Sequence, residues 1–241
     1  GFAQEVDMDF AASVKGLAIP AVWVQAATRW RPSEDYEPGE TRYGLDVADS
    51  ESGNETVLTR RRGIIIDRVH TRSKKGTTKT ARWARQIIEE DGNPHTIYDA
   101  DGIGGGVGDA WAEDELTPVF ERTAFHGGTS PTDYIWPNEK SSKERFANLK
   151  AEVWWMVRER FRKTHERWLY DGGHDGGEYH PDEECISLQI DTEMDHGKTV
   201  LQLSQPKYEL KSKNKIAIES KKDLTKRGIQ SPDYADALVM S

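Results

Sequence analysis

Aspartates recur in this sequence at three addresses where a lone carboxylate is costly. Asp46 lies inside an apolar run between Leu45 and Val47; if those two face one side of a strand, Asp46 faces the other, with Gly44 and Ala48 leaving space around it. Asp99 closes the run Ile97-Tyr98-Asp99, just before a glycine turn that lets backbone or ligand approach closely. Asp233 and Asp236 stand one helical turn apart, on one face at i and i+3. A carboxylate among apolar residues needs a cation or hydrogen bonds. Clustered carboxylates raise one another's pKa unless hard, oxygen-seeking ions such as Mg²⁺ or Mn²⁺ neutralise them. Two such ions about 4 Å apart activate a water and stabilise a leaving 3′ oxygen during in-line attack on phosphorus. In that chemistry the aspartates hold metal and do not attack.

Each aspartate alone also has a plainer reading. Asp101 suits a turn, Asp233 suits a helix first turn through the dipole, and Asp46 fits a structural role as readily as a functional one. Their conjunction carries the metal reading. The glycine run 102–106 lacks a following Gly-Lys-Ser/Thr and has imperfect dinucleotide spacing, so it does not define a nucleotide site. His174 and His180 fall in a Gly- and Asp-rich segment read as a solvated loop, and Cys185, the single cysteine, as a buried strand residue with no chemical role.

The elements that must position these groups follow from periodicity. Residues 43–48, 55–58 and 64–69 read as three successive strands, hence an antiparallel meander. Thr77 or Thr78 can cap a helix with Ala84, Ile87 and Ile88 on one face, ending at Gly92, and 95–98 is strand-like again. The turn 102–108 opens a helix through Trp111, and 118–125 makes a further strand. Ser141 can cap a long helix whose apolar stripe is Phe146, Leu149, Val153, Val157 and Phe161. Residues 185–190, 200–203 and 215–219 alternate like strands, and Ser231-Pro232 starts a last helix with proline in its first turn. The pattern predicts an α/β fold, a mixed sheet covered by helices on both faces. Residues 31–41, with Pro32, Pro38 and Gly39, read as a linker, so the main domain spans 42–241.

Composition constrains partners and setting. Hydrophobic residues form 35% of the 241 and charged residues 31%, polar for a globular chain, yet eight tryptophans are available for a core. No apolar run reaches membrane-spanning length, and residues 1–10 lack the pattern of a secretory signal, so a soluble cytoplasmic protein with no membrane partner is expected. The net charge of -9 argues against nucleic acid only globally. Acidic residues concentrate in 171–184, whereas basic ones cluster at Arg60, Arg61, Arg62, Arg68, Arg72, Lys74, Lys75 and at Lys211, Lys213, Lys215, Lys221, Lys222, Lys226, Arg227.

The stretches Gly44-Leu45-Asp46-Val47-Ala48, Tyr98-Asp99-Ala100-Asp101-Gly102-Ile103-Gly104 and Ser231-Pro232-Asp233-Tyr234-Ala235-Asp236-Ala237-Leu238 resemble the nuclease half of a tailed-bacteriophage terminase large subunit, over nearly the whole chain. Residues 148–155 and 218–223 are similar to the same family, and 2–27 resemble the passage that leaves its ATPase domain. The resemblance implies a ribonuclease H-like fold, with residues 1–41 as the end of a missing ATPase domain, and two divalent ions, Mg²⁺ or Mn²⁺. It implies cleavage of concatemeric viral double-stranded DNA during genome packaging in the host cytoplasm. The implied partners are DNA, the ATPase domain of the same full-length protein, the portal and the small terminase subunit.

Carried over residue by residue, Asp46 takes the first-strand metal position, Asp99 the second, with Asp101 as its rival, and Asp233 with Asp236 the closing-helix position. The last pair also resembles that of RuvC junction resolvases, and which of the two holds metal stays open. Lys221, Lys222, Lys226 and Arg227, then Lys143, Arg145 and Lys150, are expected to guide the DNA backbone, because a cutter of varied sequences gains most from phosphate contacts. Two other readings compete: a Holliday-junction resolvase or transposase-like nuclease, and a portal or motor docking module whose cutting is suppressed.

Overall fold

The computed structural model describes residues 16–48, 55–73, 76–113 and 120–241. The expectations for residues 2–15, for Lys74 and Lys75, and for the first two residues of the strand predicted at 118–125 lie outside them.

Among the described residues helix α1 (Ala21–Arg29) comes first, followed by a stretch without helix or strand. That stretch is fastened at Ser33, whose N–H and hydroxyl both donate to Asp182, and at Tyr36, whose hydroxyl accepts the Ile64 N–H. Strands β1 (Thr41–Asp46), β2 (Glu55–Arg62) and β3 (Ile65–Ser73) then form the expected antiparallel meander. Helix α2 (Thr77–Glu90) leads to β4 (His95–Asp99), and α3 (Gly105–Glu113) to β5 (Arg122–Phe125). Next come α4 (Ser142–Arg145), α5 (Leu149–Asp171), β6 (Ser187–Leu188), α6 (Glu193–Leu203), β7 (Tyr208–Leu210), β8 (Ile216–Ile218), α7 (Lys221–Lys226) and α8 (Asp233–Met240).

The main sheet has the order β5-β4-β1-β2-β3-β6, with β4 and β5 parallel to β1 and β6 parallel to β3. Alternation along the strands divides two cores. Tyr43, Leu45 and Leu58 meet Ala84, Ile88, Val107 and Trp111 of α2 and α3 on one face. Val57 and Ile66 meet Trp154 and Phe161 of α5, Leu203 of α6, Leu238 of α8 and Val24 of α1 on the other. Helices therefore cover both faces, and Asp46 points toward the α5–α8 side because Leu45 points away from it. Gly44 sets how closely α8 can lie on β1. A Cβ there would stand 1.9 Å from the Ala237 carbonyl oxygen and 2.7 Å from the Ser241 nitrogen.

Several expectations are corrected. Residues 200–203 are helical: Thr192 caps α6 by accepting the Asp195 N–H, and four alternating residues cannot distinguish a strand from a helix that buries Thr199 and Leu203. Ser141 caps only the four-residue α4, in a capping box with Glu144. The backbone is extended at Phe146, and Asn148 caps the long helix separately. Phe146 thus leaves the predicted stripe and packs with Trp136 and Trp155 in a smaller cluster. Gly76, not a threonine, precedes α2, and Pro232 sits at the N-cap of α8 and not in its first turn. Of 185–190 only Ser187 and Leu188 join the sheet, and β8 pairs with β7 in a separate hairpin. Cys185 is buried as expected, and burial pushes its thiol up to about 11.

Candidate metal centre

The parallel strands β1 and β4 lie side by side and end in Asp46 and Asp99, and the first turn of α8 crosses the same edge with Asp233 and Asp236. All four carboxylates are thereby gathered at one end of the sheet. Between them, β7–β8, the start of α5 and the 126–128 turn, a cleft of about 660 Å³ opens, lined by Asp99, Lys150, Glu219, Lys221, Asp233 and Asp236 among others.

Asp46 is 1% exposed, and among the described residues neither of its carboxylate oxygens has a hydrogen-bond partner. Burial raises its pKa well above the ordinary carboxylate range; Lys221 works against that rise, and Asp236, Asp233 and Asp99 add to it. A buried, unsatisfied carboxylate costs free energy that a bound cation recovers. Asp99 is held by one bond, accepting the Asp101 N–H at 3.0 Å. A Cβ on Gly104 would lie 1.8 Å from the Asp99 carbonyl oxygen, so the turn folds over Asp99 only because glycine follows there. Asp233 is 5% exposed and accepts the Glu55 N–H at 3.3 Å; burial raises its pKa and Lys221 offsets part of the rise.

Asp236 differs from the other three. Lys150 Nζ lies 2.8 Å from its Oδ1 and 2.9 Å from its Oδ2, and the Trp154 indole N–H donates to Oδ1 at 3.2 Å. Burial alone would push the Asp236 pKa up, but Lys150 and Lys221 outweigh it and hold the group below its ordinary value. Lys221 itself stands among the carboxylates, 3.6 Å from Asp46, 3.8 Å from Asp233 and 3.6 Å from Asp236. Those carboxylates raise its pKa despite the burial that opposes them. The ammonium occupies the place of a cation in a ring of oxygen donors. Oxygen-only donors, one with both oxygens unsatisfied, fit a hard divalent ion such as Mg²⁺ or Mn²⁺.

The other predicted residues scatter. Asp101 is half exposed, and its Oδ1 faces His126 Nδ1 at 3.0 Å. Lys221 and Lys150, expected on the DNA path, point into the carboxylate cluster, whereas Lys222, Lys226 and Arg227 are exposed on or beside α7, with Lys226 paired to Asp223 and Arg227 to Glu219. Lys143 pairs with Asp133, and Arg145 stacks over Trp136 at 4.4 Å in a separate groove. The expected basic cluster at 60–62 is largely internal: Arg60 bonds Asp67 and Asp91, and burial brings Arg61 down to about 10.

Among the described residues Glu166, Glu178 and His180 also bring ligand atoms within 4.8 Å of one another. There Arg162 already sits 2.6 Å from both Glu166 oxygens, and His180 Nε2 lies 2.7 Å from Glu166. The cluster therefore anchors the 172–182 loop, and His180, read as solvated, is buried. Two side chains that the sequence reading missed at the cleft are Trp154 and Glu219. Trp154 had a signal, since it follows Lys150 by four residues on one helix face; Glu219 stands two residues before Lys221, but nothing in the sequence shows that the end of β8 reaches the aspartates.

Two parallel strands ending in carboxylates, a meander on one side and a closing helix bearing two more define a ribonuclease H-like fold. The nuclease domain of the large terminase subunit gp2 of bacterial virus Sf6 has this fold, with a TM-score of 0.77 and 23% identity over 92% of this chain and 96% of that one. A structure of a mutant of the same gp2 domain with calcium matches equally, over 97% of that chain. The large terminase nuclease of thermophilic phage G20c with cobalt matches at a TM-score of 0.55 and 9% identity, over 94% of this chain and 96% of that one. No family model matches the sequence, and no curated protein does.

Proposed function

We propose that this chain is the nuclease part of a viral DNA-packaging terminase: a metal-dependent endonuclease that cuts concatemeric double-stranded DNA in the host cytoplasm. The observation that carries this reading is Asp46, buried with both oxygens unsatisfied and facing Asp233, Asp236 and Lys221 within a terminase-nuclease fold. Structures of the similar domains with manganese, magnesium or cobalt support it.

Asp46, Asp99 and Asp233 would hold two divalent ions, Mg²⁺ or Mn²⁺. Bound there, such ions supply an activated water and Lewis-acid stabilisation of a leaving oxygen. The chain's own contribution is geometric. Asp46 and Asp99 are fixed by neighbouring strands, and the Glu55 N–H orients Asp233. Lys222, Lys226 and Arg227, exposed on α7 and at its C-terminal end, would offer phosphate contacts. In the reading, an ATPase domain of the same full-length protein feeds DNA to this cleft, and the portal and small terminase subunit are the further partners.

The test is supercoiled plasmid incubated with Mn²⁺, Mg²⁺ or EDTA, using the chain and its Asp46→Asn variant. Metal-dependent nicking and linearisation, lost in the variant, is the expected result. Equal cutting by the variant, or no cutting with any metal by the chain joined to its ATPase domain, would overturn it.

A further inference from the structure

The four aspartates gathered at the end of the sheet, Asp46, Asp99, Asp233 and Asp236, are not equivalent. Asp46 accepts no hydrogen bond, while Asp99 accepts one backbone N–H and Asp233 another. Asp236 has both oxygens engaged by side chains, two contacts to Lys150 and one from Trp154. An ion at Asp236 would have to displace a half-buried ammonium that is hydrogen-bonded to one oxygen and in ion-pair contact with the other.

Lys150 is equally committed from its own side. It stands in the first turn of α5, where the Asn148 side chain accepts the Ala151 N–H and the Lys150 N–H donates to the Gly127 carbonyl. Gly127 packs against its stem, since a Cβ there would come 3.3 Å from the Lys150 Cβ. The side chain is 26% exposed and lines the cleft. Nζ donates a hydrogen bond to Asp236 Oδ2 and stands in ion-pair contact with Oδ1, and an ammonium has three N–H donors, so donor capacity is left for a ligand in the cleft. A cation fixed in place before the reaction stabilises developing charge without reorganisation cost.

We propose that Lys150 is the residue that binds the phosphate to be cut, and that Asp236 is its positioning residue and not a metal ligand. The proposal rests on the nuclease reading and refines it. Lys221 plays a different part, because its ammonium stands between the carboxylates and would yield its place to metal.

Two readouts besides cleavage separate the roles: calorimetric Mn²⁺ titration, and affinity for a short DNA duplex in Ca²⁺ with cleavage checked to be absent. Lys150→Gln and Asp236→Asn are expected to keep Mn²⁺ stoichiometry and bind it within about threefold of the parent, while DNA affinity falls about tenfold. Lys150→Gln should also lower the salt slope by about one, and Lys150→Arg should restore both affinity and slope. The double variant should be no weaker than either single one, because the two residues act as a unit. Asp46→Asn should show the reverse, losing Mn²⁺. Loss of Mn²⁺ in Asp236→Asn to the extent seen in Asp46→Asn, or parental DNA affinity and salt slope in folded Lys150→Gln, overturns the proposal. If the parent chain binds neither Mn²⁺ nor DNA, the nuclease reading itself falls, a result distinct from one confined to the Lys150 variants.

Discussion

The Lys221 ammonium lies 3.6 Å from an Asp46 carboxylate that has no hydrogen-bond partner. The two charges compensate each other across the centre, and any metal ion entering there competes with the lysine.

Replacing Lys221 should therefore tighten metal binding. Lys221→Ala is expected to bind Mn²⁺ about tenfold more strongly, a modest gain because the side chain is 45% exposed and screened by solvent. In EDTA the same variant should melt at a lower temperature, since Asp46, Asp233 and Asp236 then face one another unopposed. Titration calorimetry and paired melts with and without Mn²⁺ check both; weaker Mn²⁺ binding would refute the competition.

The approach of α8 to β1 is fixed by Gly44. Gly44→Ala places a methyl group inside contact distance of the Ala237 carbonyl, so the helix must move and carry Asp233 and Asp236 with it. A loss of about 3 kcal/mol in urea unfolding is expected, with Mn²⁺ affinity falling in the refolded variant. Parental stability would mean that the helix can shift freely.

Glu152 is fully buried on α5 and accepts from the Thr132 N–H, the Thr132 hydroxyl and the Ser142 hydroxyl. It ties the 129–142 segment to the helix that carries Lys150. Glu152→Ala leaves those donors unsatisfied and should cost about 2–4 kcal/mol. Protease sensitivity concentrated at 129–142, ahead of global unfolding, would confirm where the cost falls.

Acid sensitivity should come from the Arg60 network. Burial would raise the Asp67 pKa, but hydrogen bonds from Arg60 and Arg62 outweigh it and hold the group below its ordinary value; Asp91 is lowered in the same way by Arg60 and Tyr43. A depressed folded pKa contributes stability that is present above the unfolded value, about 4, and is lost as pH falls through the folded one. Unfolding free energy should thus drop below about pH 4, and less steeply in Asp67→Asn, which lacks one of the titrating groups. Parallel pH profiles for the two proteins would exclude this origin.

Much of this architecture is legible in the sequence because its signals are local. The three-strand meander, α2 and the aspartates at strand ends follow from alternation and flanking glycines, and side-chain alternation places Asp46 opposite Leu45. What escapes depends on contacts distant along the chain. Nothing near Lys150 indicates that its partner is Asp236, 86 positions away, so exposed phosphate binding is the natural reading of its charge. Arg60 likewise looks like surface until Asp67 and Asp91 are seen to enclose it. The break at Phe146 is hidden for the opposite reason: the apolar spacing continues through it, while the Asn148 cap that restarts the helix resembles ordinary loop chemistry.

The bond between the Glu55 N–H and Asp233 spans 178 positions. Closing so long a separation costs loop entropy that the packing of α8 on β1, β2, α6 and α5 offsets. A ribosome making this chain would release the sheet, α2 and α5 before α8, so the oxygen cluster is incomplete until α8 has been made. Until that helix docks, β1 and β4 present Asp46 and Asp99 without the two carboxylates that complete the cluster.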